Sequence, residues 1–288
     1  LWVSDDNNNR ILEFNAPLST GESASIVIGQ SSFVTGACAV TQIGLCFPYG
    51  IAFDSSGILW VSDHGNSRVL EFLAPFSNGE SASIVIGQRG FTTNTCTSGP
   101  PTQHGLCQPS AIAFDSSDNL YVTDSTNGRV LEFQPKFSDD ESASTVIGQT
   151  SFTTTGPCVT SASQLCDTTG VAIDSGNLWV SDAFGNRVLQ FLAPFSNGES
   201  ASLVIGQPGF TTGSCTTAPP TQSAFCEMVG IAFDPAHNLW VADTSNNRVL
   251  EFQTGVVTGV PEFPAGLLAI VAIGVPVLAA LRLKHPNR

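Results

Sequence analysis

Basic residues are scarce in this sequence. Its 288 residues include 10 Lys and Arg against 24 Asp and Glu, which gives a formal net charge of −14. Three of the ten basic residues, Arg282, Lys284 and Arg288, lie in the last seven positions. Because nucleic-acid binding requires clustered Lys and Arg to displace phosphate counterions, the composition excludes a nucleic-acid partner.

Charge of either sign is also sparse, since only 12% of the residues are charged whereas 42% are hydrophobic. A disordered acidic chain would have far less apolar surface to bury, so we expect a folded protein. Methionine occurs once, whereas phenylalanine occurs 19 times among many Gly, Ser and Thr residues. This composition favours β-structure.

An internal repeat dominates the sequence. The segment LWVSD, or a close variant, begins at residues 1, 59, 120, 178 and 239. Each copy continues with an RVLEF-like segment, a polar stretch, a VIGQ-like segment, a Thr-rich loop with two cysteines and a GIAFD-like segment. Self-similarity at a fixed period is the signature of a repeat architecture.

We predict four short strands in each repeat. In the second of the resulting four-stranded units the predicted strands cover 50–54, 59–63, 68–72 and 83–87. These segments are rich in Val, Ile, Phe and Trp and are bounded by Gly, Asn, Asp and Ser. Four strands joined by short turns form an antiparallel sheet. A repeated four-stranded sheet of this length is typical of a β-propeller blade, with a solenoid as the alternative.

The combination of GIAFD, LWVSD and Asn-x-Arg-Val-Leu-Glu-Phe resembles the NHL repeat, which builds six-bladed propellers. The resemblance implies an all-β, NHL-type propeller over residues 1–252. About five blades are present, because the first copy lacks its GIAFD strand and the fifth its VIGQ strand. Since the chain starts inside a strand without Met, we expect six blades in the full-length protein, with a signal peptide and one blade upstream.

An Asp and an Arg recur five residues apart in every copy. The pairs are Asp5/Arg10, Asp63/Arg68, Asp124/Arg129, Asp182/Arg187 and Asp243/Arg248. One interpretation is five copies of a charged binding site. We favour a structural role, in which each pair braces the second hairpin of its blade, because a feature of every blade normally serves the blade.

An aromatic residue also recurs at one position of the second predicted strand. These residues are Trp2, Trp60, Tyr121, Trp179 and Trp240. They could form a ligand cage, but propeller sheets bury both faces, so we expect packing between neighbouring blades.

The four-residue tips of the second hairpins differ between copies. Because binding residues are often found on loops of a rigid scaffold, these tips supply candidate binding residues. The candidates are Asn8, His64, Asn66, Asn127, Phe184 and Asn246. Their Asn and Gly content is also what tight turns require.

Eight cysteines fall in four pairs, one in each inter-blade loop. The predicted disulfides are Cys38–Cys46, Cys96–Cys107, Cys158–Cys166 and Cys215–Cys226. A zinc site is the alternative, but it requires four ligands in reach, commonly with C-x₂₋₄-C spacing, and neighbouring histidines are missing. Disulfides imply an oxidising, extracytoplasmic compartment.

The repeat ends at Phe252, and the rest of the chain predicts a membrane anchor. Residues 253–263 read as a linker, 264–282 as a transmembrane helix and 283–288 as a basic cytoplasmic tail. The uncharged stretch 264–281 is long enough to cross the hydrocarbon core, and the basic end should remain inside the cell. The propeller would then lie outside, at the cell surface.

This end resembles the PEF-CTERM sorting signal of archaeal surface proteins, which an archaeosortase processes. Pro261, Glu262 and Phe263 match the motif, directly before the apolar run and the basic tail. The resemblance implies an archaeosortase-like partner and removal of the apolar segment. Without processing, the protein would be a type I membrane protein.

The sequence favours a non-catalytic surface propeller that binds an extracellular protein or glycan. The alternative is a metal-dependent propeller lyase or lactonase-like hydrolase with its site on the central axis. The four histidines (His64, His104, His237 and His285) occupy different repeat positions, and no Ser-His-Asp set, phosphate loop or nucleophilic thiol is visible. We therefore predict no cofactor, with an axial calcium or other metal remaining open.

Overall fold

The computed structural model of the protein describes residues 1–96, 100–215 and 220–253 together with the backbone of 270–272. The strands form five antiparallel sheets, and in each sheet the spatial order follows the order along the chain. The first sheet has three strands and the other four have four. The predicted fold class, an all-β propeller of five blades, is confirmed.

The strands of the first sheet are β1 (Trp2–Asp5), β2 (Arg10–Glu13) and β3 (Ile26–Ile28). Those of the second are β4 (Pro48–Phe53), β5 (Leu59–Asp63), β6 (Arg68–Phe72) and β7 (Ile84–Ile86). Those of the third are β8 (Pro109–Phe114), β9 (Leu120–Asp124), β10 (Arg129–Phe133) and β11 (Thr145–Ile147). Those of the fourth are β12 (Thr168–Asp174), β13 (Asn177–Asp182), β14 (Arg187–Phe191) and β15 (Leu203–Ile205). Those of the fifth are β16 (Met228–Phe233), β17 (Asn238–Asp243), β18 (Arg248–Gln253) and β19 (Ile270–Ala272).

The first strands of the four-stranded blades lie side by side at the centre of the propeller. Strand β4 contacts β8, β8 contacts β12, and β12 contacts β16. The approach is close enough to require glycine at one position: a Cβ added to Gly50 would lie 2.6 Å from the carbonyl oxygen of Ser110 in the next blade.

The core lies between neighbouring blades, as the recurring aromatic position predicts. Trp60 of the second blade is fully buried and packs edge-on against Phe114 and Phe137 of the third. Trp2, Tyr121 and Trp179 make the corresponding ring contacts with their own neighbouring blades. Because no blade can bury its apolar faces alone, stacking with its neighbours stabilises each one.

Four disulfides close the inter-blade loops. The bonds are Cys38–Cys46, Cys96–Cys107, Cys158–Cys166 and Cys215–Cys226. These are the pairings predicted from the spacing of the cysteines, and they are compatible with an extracellular protein.

The C-terminal segment departs from the sequence prediction. Of the predicted helix over 264–282 the structure describes only Ile270–Ala272, and these residues form strand β19, in which Val271 pairs with Glu251 of β18. A helix is therefore not supported there, and the prediction that the fifth copy has no fourth strand is wrong. The open edge of β18 offers unpaired backbone groups, and an apolar segment can satisfy them as a strand.

The remainder of the predicted anchor, with the motif formed by Pro261, Glu262 and Phe263, lies outside the described residues. Within the described part of the chain, no helix is long and apolar enough to span a membrane.

Candidate functional site

The repeated ion pair joins two elements at the same face of each blade. In the second blade Arg68 Nε donates to Asp63 Oδ2 at 2.7 Å, and the backbone N–H of Cys46 donates to Asp63 Oδ1 at 2.6 Å. The Asp thus ties the hairpin tip to the end of the disulfide loop. We call this face, on which the hairpin tips and the ends of the disulfide loops meet around the centre, the axial face.

The five ion pairs differ in burial. The side chains are fully buried in the pairs Asp63/Arg68, Asp124/Arg129 and Asp182/Arg187. In the fifth blade Arg248 is 22% exposed, and in the first blade Arg10 and Asp5 are 17% and 25% exposed. Because the three fully buried pairs have no opening to solvent, there is no room for a ligand beside them.

A β-bulge at the start of each first strand turns one side chain towards the axial face. In the second blade Pro48 pairs with Asp63 and Ile51 with Val61, so two residues of β4 oppose one residue of β5. The Ser62 hydroxyl accepts from the N–H of Gly50 at 2.7 Å and so fills the gap in the ladder. Bulges commonly redirect a side chain next to a binding site.

The residues presented by the bulges differ in chemistry from blade to blade, as do those that follow the second cysteine. The bulge positions hold Tyr49, Ser110, Thr169 and Val229, and the positions after the cysteine hold Phe47, Gln108, Asp167 and Glu227. The scaffold is therefore repeated, whereas the side chains that it presents at the axial face are not.

Five of these eight side chains line a cleft of about 460 Å³ across the second, third and fourth blades. We call it the axial cleft. Its lining residues are Tyr49, His64, Gln108, Ser110, Ser125, Thr126, Cys166, Asp167 and Thr169. The volume lies within the usual range of small-molecule sites.

His64 and Tyr49 form a stacked pair at one side of the axial cleft. Their ring centroids lie 4.3 Å apart with the planes tilted by 30°. His64 Nδ1 lies 3.2 Å from the carbonyl oxygen of Pro109, which can only accept, so Nδ1 carries a proton and donates. Tyr49 is 44% exposed, so part of its ring is open to solvent.

The pKa values of His64 and Asp167, both in the cleft lining, are shifted in opposite directions. Burial lowers the pKa of His64, against smaller raising effects from the Pro109 hydrogen bond and from the charge of Asp167. Burial also raises the pKa of Asp167, and the charge of Asp182 adds to this, whereas His64 lowers it. His64 is therefore uncharged at neutral pH.

Hydroxyl groups line the other side of the cleft. Thr126 donates to Gln108 Oε1 at 2.8 Å, and Ser125 donates to the carbonyl oxygen of Thr168 at 2.5 Å. The Ser110 hydroxyl lies 2.8 Å from that of Ser125. These bonds fix the orientation of the polar groups before any ligand arrives.

Of the six binding candidates taken from the hairpin tips, only His64 lines the axial cleft. Phe184 is 58% exposed at the tip of the fourth blade, outside the cleft lining. The remaining four are the third residues of their tips, and each donates its side-chain amide to the Asp of its own blade. They are Asn8, Asn66, Asn127 and Asn246.

The fourth tip residues explain why Asn and Gly occur in this loop. Their φ angles lie between +49° and +58°, in the left-handed region that Asn and Gly tolerate. The Asn content of the tips thus has a conformational cause.

The cleft residues Tyr49, Gln108 and Asp167 are not among those predicted from the sequence. They could have been found as positions that vary within an otherwise repeated segment.

Two further clefts of about 560 Å³ each lie away from this site. One is lined chiefly by threonines of the third inter-blade loop, between β11 and β12, and has no aromatic or titratable lining residue. The other lies at the first sheet.

The described residues contain no group of three or more His, Cys, Asp or Glu side chains that could hold a metal ion. His104 Nδ1 lies 2.8 Å from the carbonyl oxygen of Asp140, and His237 Nδ1 lies 2.6 Å from Asp174 Oδ1. Neither lines the axial cleft with His64. His285 lies outside the described residues.

The NHL repeat family matches this chain at residues 45–72, 106–133 and 225–252. These segments cover the first three strands of the second, third and fifth blades. Comparison with curated protein sequences finds no match.

Solved propellers resemble the chain in fold. A streptogramin B lyase has a TM-score of 0.52 at 12% identity, with 96% of this chain and 65% of the lyase covered. A catalytically inactive histidine-to-alanine variant of virginiamycin B lyase from Staphylococcus aureus, solved with quinupristin, has a TM-score of 0.52 at 11% identity, with 94% and 64% covered. A protein of unknown function from Bacteroides thetaiotaomicron has a TM-score of 0.51 at 18% identity, with 84% and 55% covered. The chain thus spans less than two thirds of each of these proteins.

Proposed function

We propose that this NHL-type propeller is a non-catalytic extracellular binding module that holds a protein or glycan at its axial face. The observation that carries the proposal is the axial cleft, in which side chains that differ between blades are presented by a scaffold that does not differ. Scaffold positions serve stability, and varying loop positions on a rigid frame serve recognition.

The exported state is part of this proposal. Four disulfides suit an oxidising compartment, and five of the seven Lys and Arg residues before residue 282 are engaged in ion pairs within the blades. The acidic surface that results favours solubility outside the cell and disfavours anionic partners.

Anchoring at the cell surface rests on the sequence of the C-terminal segment. We infer either processing at the motif formed by Pro261, Glu262 and Phe263 or retention of the apolar segment in the membrane. Both routes require Ile270–Ala272 to leave their pairing with β18. Mass spectrometry of the mature C-terminus separates the two. A terminus near Pro264 with a modification supports processing, an intact Arg288 supports retention, and recovery of the intact chain from the cytosol contradicts both.

The binding proposal is tested with the full chain, immobilised and exposed to solubilised cell-envelope material. We expect retention of envelope components by the wild-type protein and loss of retention when Tyr49 and His64 are both replaced by alanine. Phe184→Ala is the control for an exposed aromatic ring outside the cleft. Equal retention by all three proteins would contradict a site in the axial cleft.

A second candidate function is acid–base catalysis at the same cleft. It is favoured by the pair of His64, whose pKa is lowered, and Asp167, whose pKa is raised, because titratable groups with shifted pKa values in a cleft are typical of acid–base sites. His64 and Asp167 are the two histidine or carboxylate side chains of the cleft lining, and the described part of the chain brings no third such group to them. Incubation with quinupristin, followed by mass spectrometry of the products, tests the candidate: turnover that His64→Ala abolishes would support it.

A further inference from the structure

The aromatic surface of the axial cleft is a single small platform. Tyr49 is partly exposed, and His64 supports its ring from one side at a centroid distance of 4.3 Å. A supported aromatic ring with one open side offers an apolar face of about the width of a sugar ring. The stack holds the ring in place, so little side-chain freedom is lost when a ligand covers it.

Apart from the acidic side chain of Asp167, the rest of the cleft lining is polar and uncharged. The groups around the platform are the amide of Gln108 and the hydroxyls of Ser110, Ser125 and Thr126. A protein partner would bring apolar anchors that need apolar pockets, and the cleft lining offers none besides Tyr49. Hydroxyls and an amide around an aromatic face instead match a ligand with many hydroxyl groups and one apolar ring face.

Charge narrows the ligand class further. The cleft lining contains no Lys or Arg, and its one acidic side chain is Asp167. Among the described residues, Arg89 and Lys136 are the basic side chains outside the five ion pairs, and neither lines the cleft. Phosphorylated, sulfated or uronic ligands would therefore meet a negative site without a counter-charge.

We propose that the axial cleft binds a neutral saccharide, with the apolar face of one pyranose ring stacked on Tyr49. The hydroxyls of the sugar exchange hydrogen bonds with the amide and hydroxyl groups of the lining, and the Asp167 carboxylate accepts from one of them. This inference rests on the proposed binding function and names its ligand class.

The fifth blade supplies a variant that removes the platform with little risk to folding. Val229 occupies the position of Tyr49 in the repeat. Tyr49→Val therefore introduces a side chain that the same bulge already carries elsewhere in this protein. Tyr49→Phe keeps the ring and removes only its hydroxyl, and Phe33→Ala removes a ring of similar exposure, 37%, that does not line the cleft.

The test is calorimetric titration of the full chain with linear hexasaccharides of glucose, mannose, galactose and N-acetylglucosamine. Polygalacturonate and heparin serve as anionic probes, and a random peptide library serves as the protein-like probe. We expect at least one neutral hexasaccharide to bind, with an affinity that falls at least about tenfold in Tyr49→Val, since an aromatic contact with its buried area is worth more than about 1.4 kcal/mol. Tyr49→Phe should stay within about threefold of wild type, and Phe33→Ala should bind as wild type.

The outcomes separate this inference from the proposed function. Binding of peptides or anionic polymers through Tyr49, without any neutral saccharide, would overturn the saccharide assignment and leave the binding function of the cleft in place. Saccharide binding that Tyr49→Val does not weaken would overturn the cleft as the site. Absence of binding to every neutral hexasaccharide would overturn the inference.

Discussion

Replacing Arg129 by alanine should lower the free energy of unfolding by about 3–5 kcal/mol. Arg129 is fully buried, and its Nε donates to Asp124 Oδ2 at 2.7 Å. Its Nη1 donates to the carbonyl oxygen of Phe152 at 2.5 Å, and its Nη2 to those of Thr102 and Gly105 at 2.9 Å. The substitution leaves a buried carboxylate without a counter-charge and three carbonyls of the inter-blade loops without donors.

The first blade provides a matched control. Arg10 occupies the same repeat position, and its Nε donates to Asp5 at the same 2.7 Å, but both side chains reach solvent. Water can solvate the Asp5 carboxylate when the guanidinium is absent, so Arg10→Ala should cost only about 1 kcal/mol. The two variants thus remove the same ion pair at two depths.

Guanidinium denaturation of the oxidised protein, followed by tryptophan fluorescence, measures both losses. A loss for Arg129→Ala that is at least about 2 kcal/mol larger than for Arg10→Ala supports the assignment of structural roles by burial. Equal losses, or an unchanged stability of Arg129→Ala together with loss of ligand binding, would refute the reasoning.

Three further predictions follow from the disulfide loops, the cleft and the candidate tip residues. Replacing Cys158 and Cys166 together by serine should lower the free energy of unfolding by about 2–3 kcal/mol, because the bond closes a loop of only 8 residues; no change in a denaturation curve would contradict this. Asp167→Asn should lower the pKa of His64 still further, because a negative charge that favours the imidazolium is lost; a ¹H–¹³C NMR titration that shows a rise would exclude the attraction. Asn127→Ala should destabilise the protein by about 1–3 kcal/mol without weakening ligand binding, because its amide is used by a buried carboxylate; a change in affinity at unchanged melting temperature would assign it to the ligand instead.

The repeat made the fold predictable to within a few residues. Strands β5 (Leu59–Asp63) and β6 (Arg68–Phe72) have the predicted bounds, since their apolar residues continue to the turn signals at either end. Strand β4 starts two residues before the predicted one, at Pro48, because pairing with β5 resumes on the far side of a bulge that precedes the apolar segment. The disulfides were predictable because every cysteine has a partner within its own loop.

The cleft was less accessible to sequence reasoning, since its residues come from three blades that meet only in the folded ring. Tyr49 and His64 belong to the second blade, whereas Asp167 precedes the first strand of the fourth. The hairpin tips drew attention because they vary, but the third residue of most tips serves the ion pair beneath it. For the apolar C-terminal segment, the sequence predicts a helix over 264–282, whereas the three residues that the structure describes there form strand β19. Composition alone does not separate a membrane helix from a strand that completes a sheet.

The most direct test of the central claim, that repeated residues build the blades and varying residues at the axial face bind the ligand, is one affinity comparison. The dissociation constant for the best neutral hexasaccharide is measured at low temperature, where the variants remain folded, for the wild type, Arg129→Ala and Tyr49→Val. The account predicts a wild-type dissociation constant for Arg129→Ala and one at least about tenfold higher for Tyr49→Val. Loss of affinity in Arg129→Ala with unchanged affinity in Tyr49→Val would contradict it.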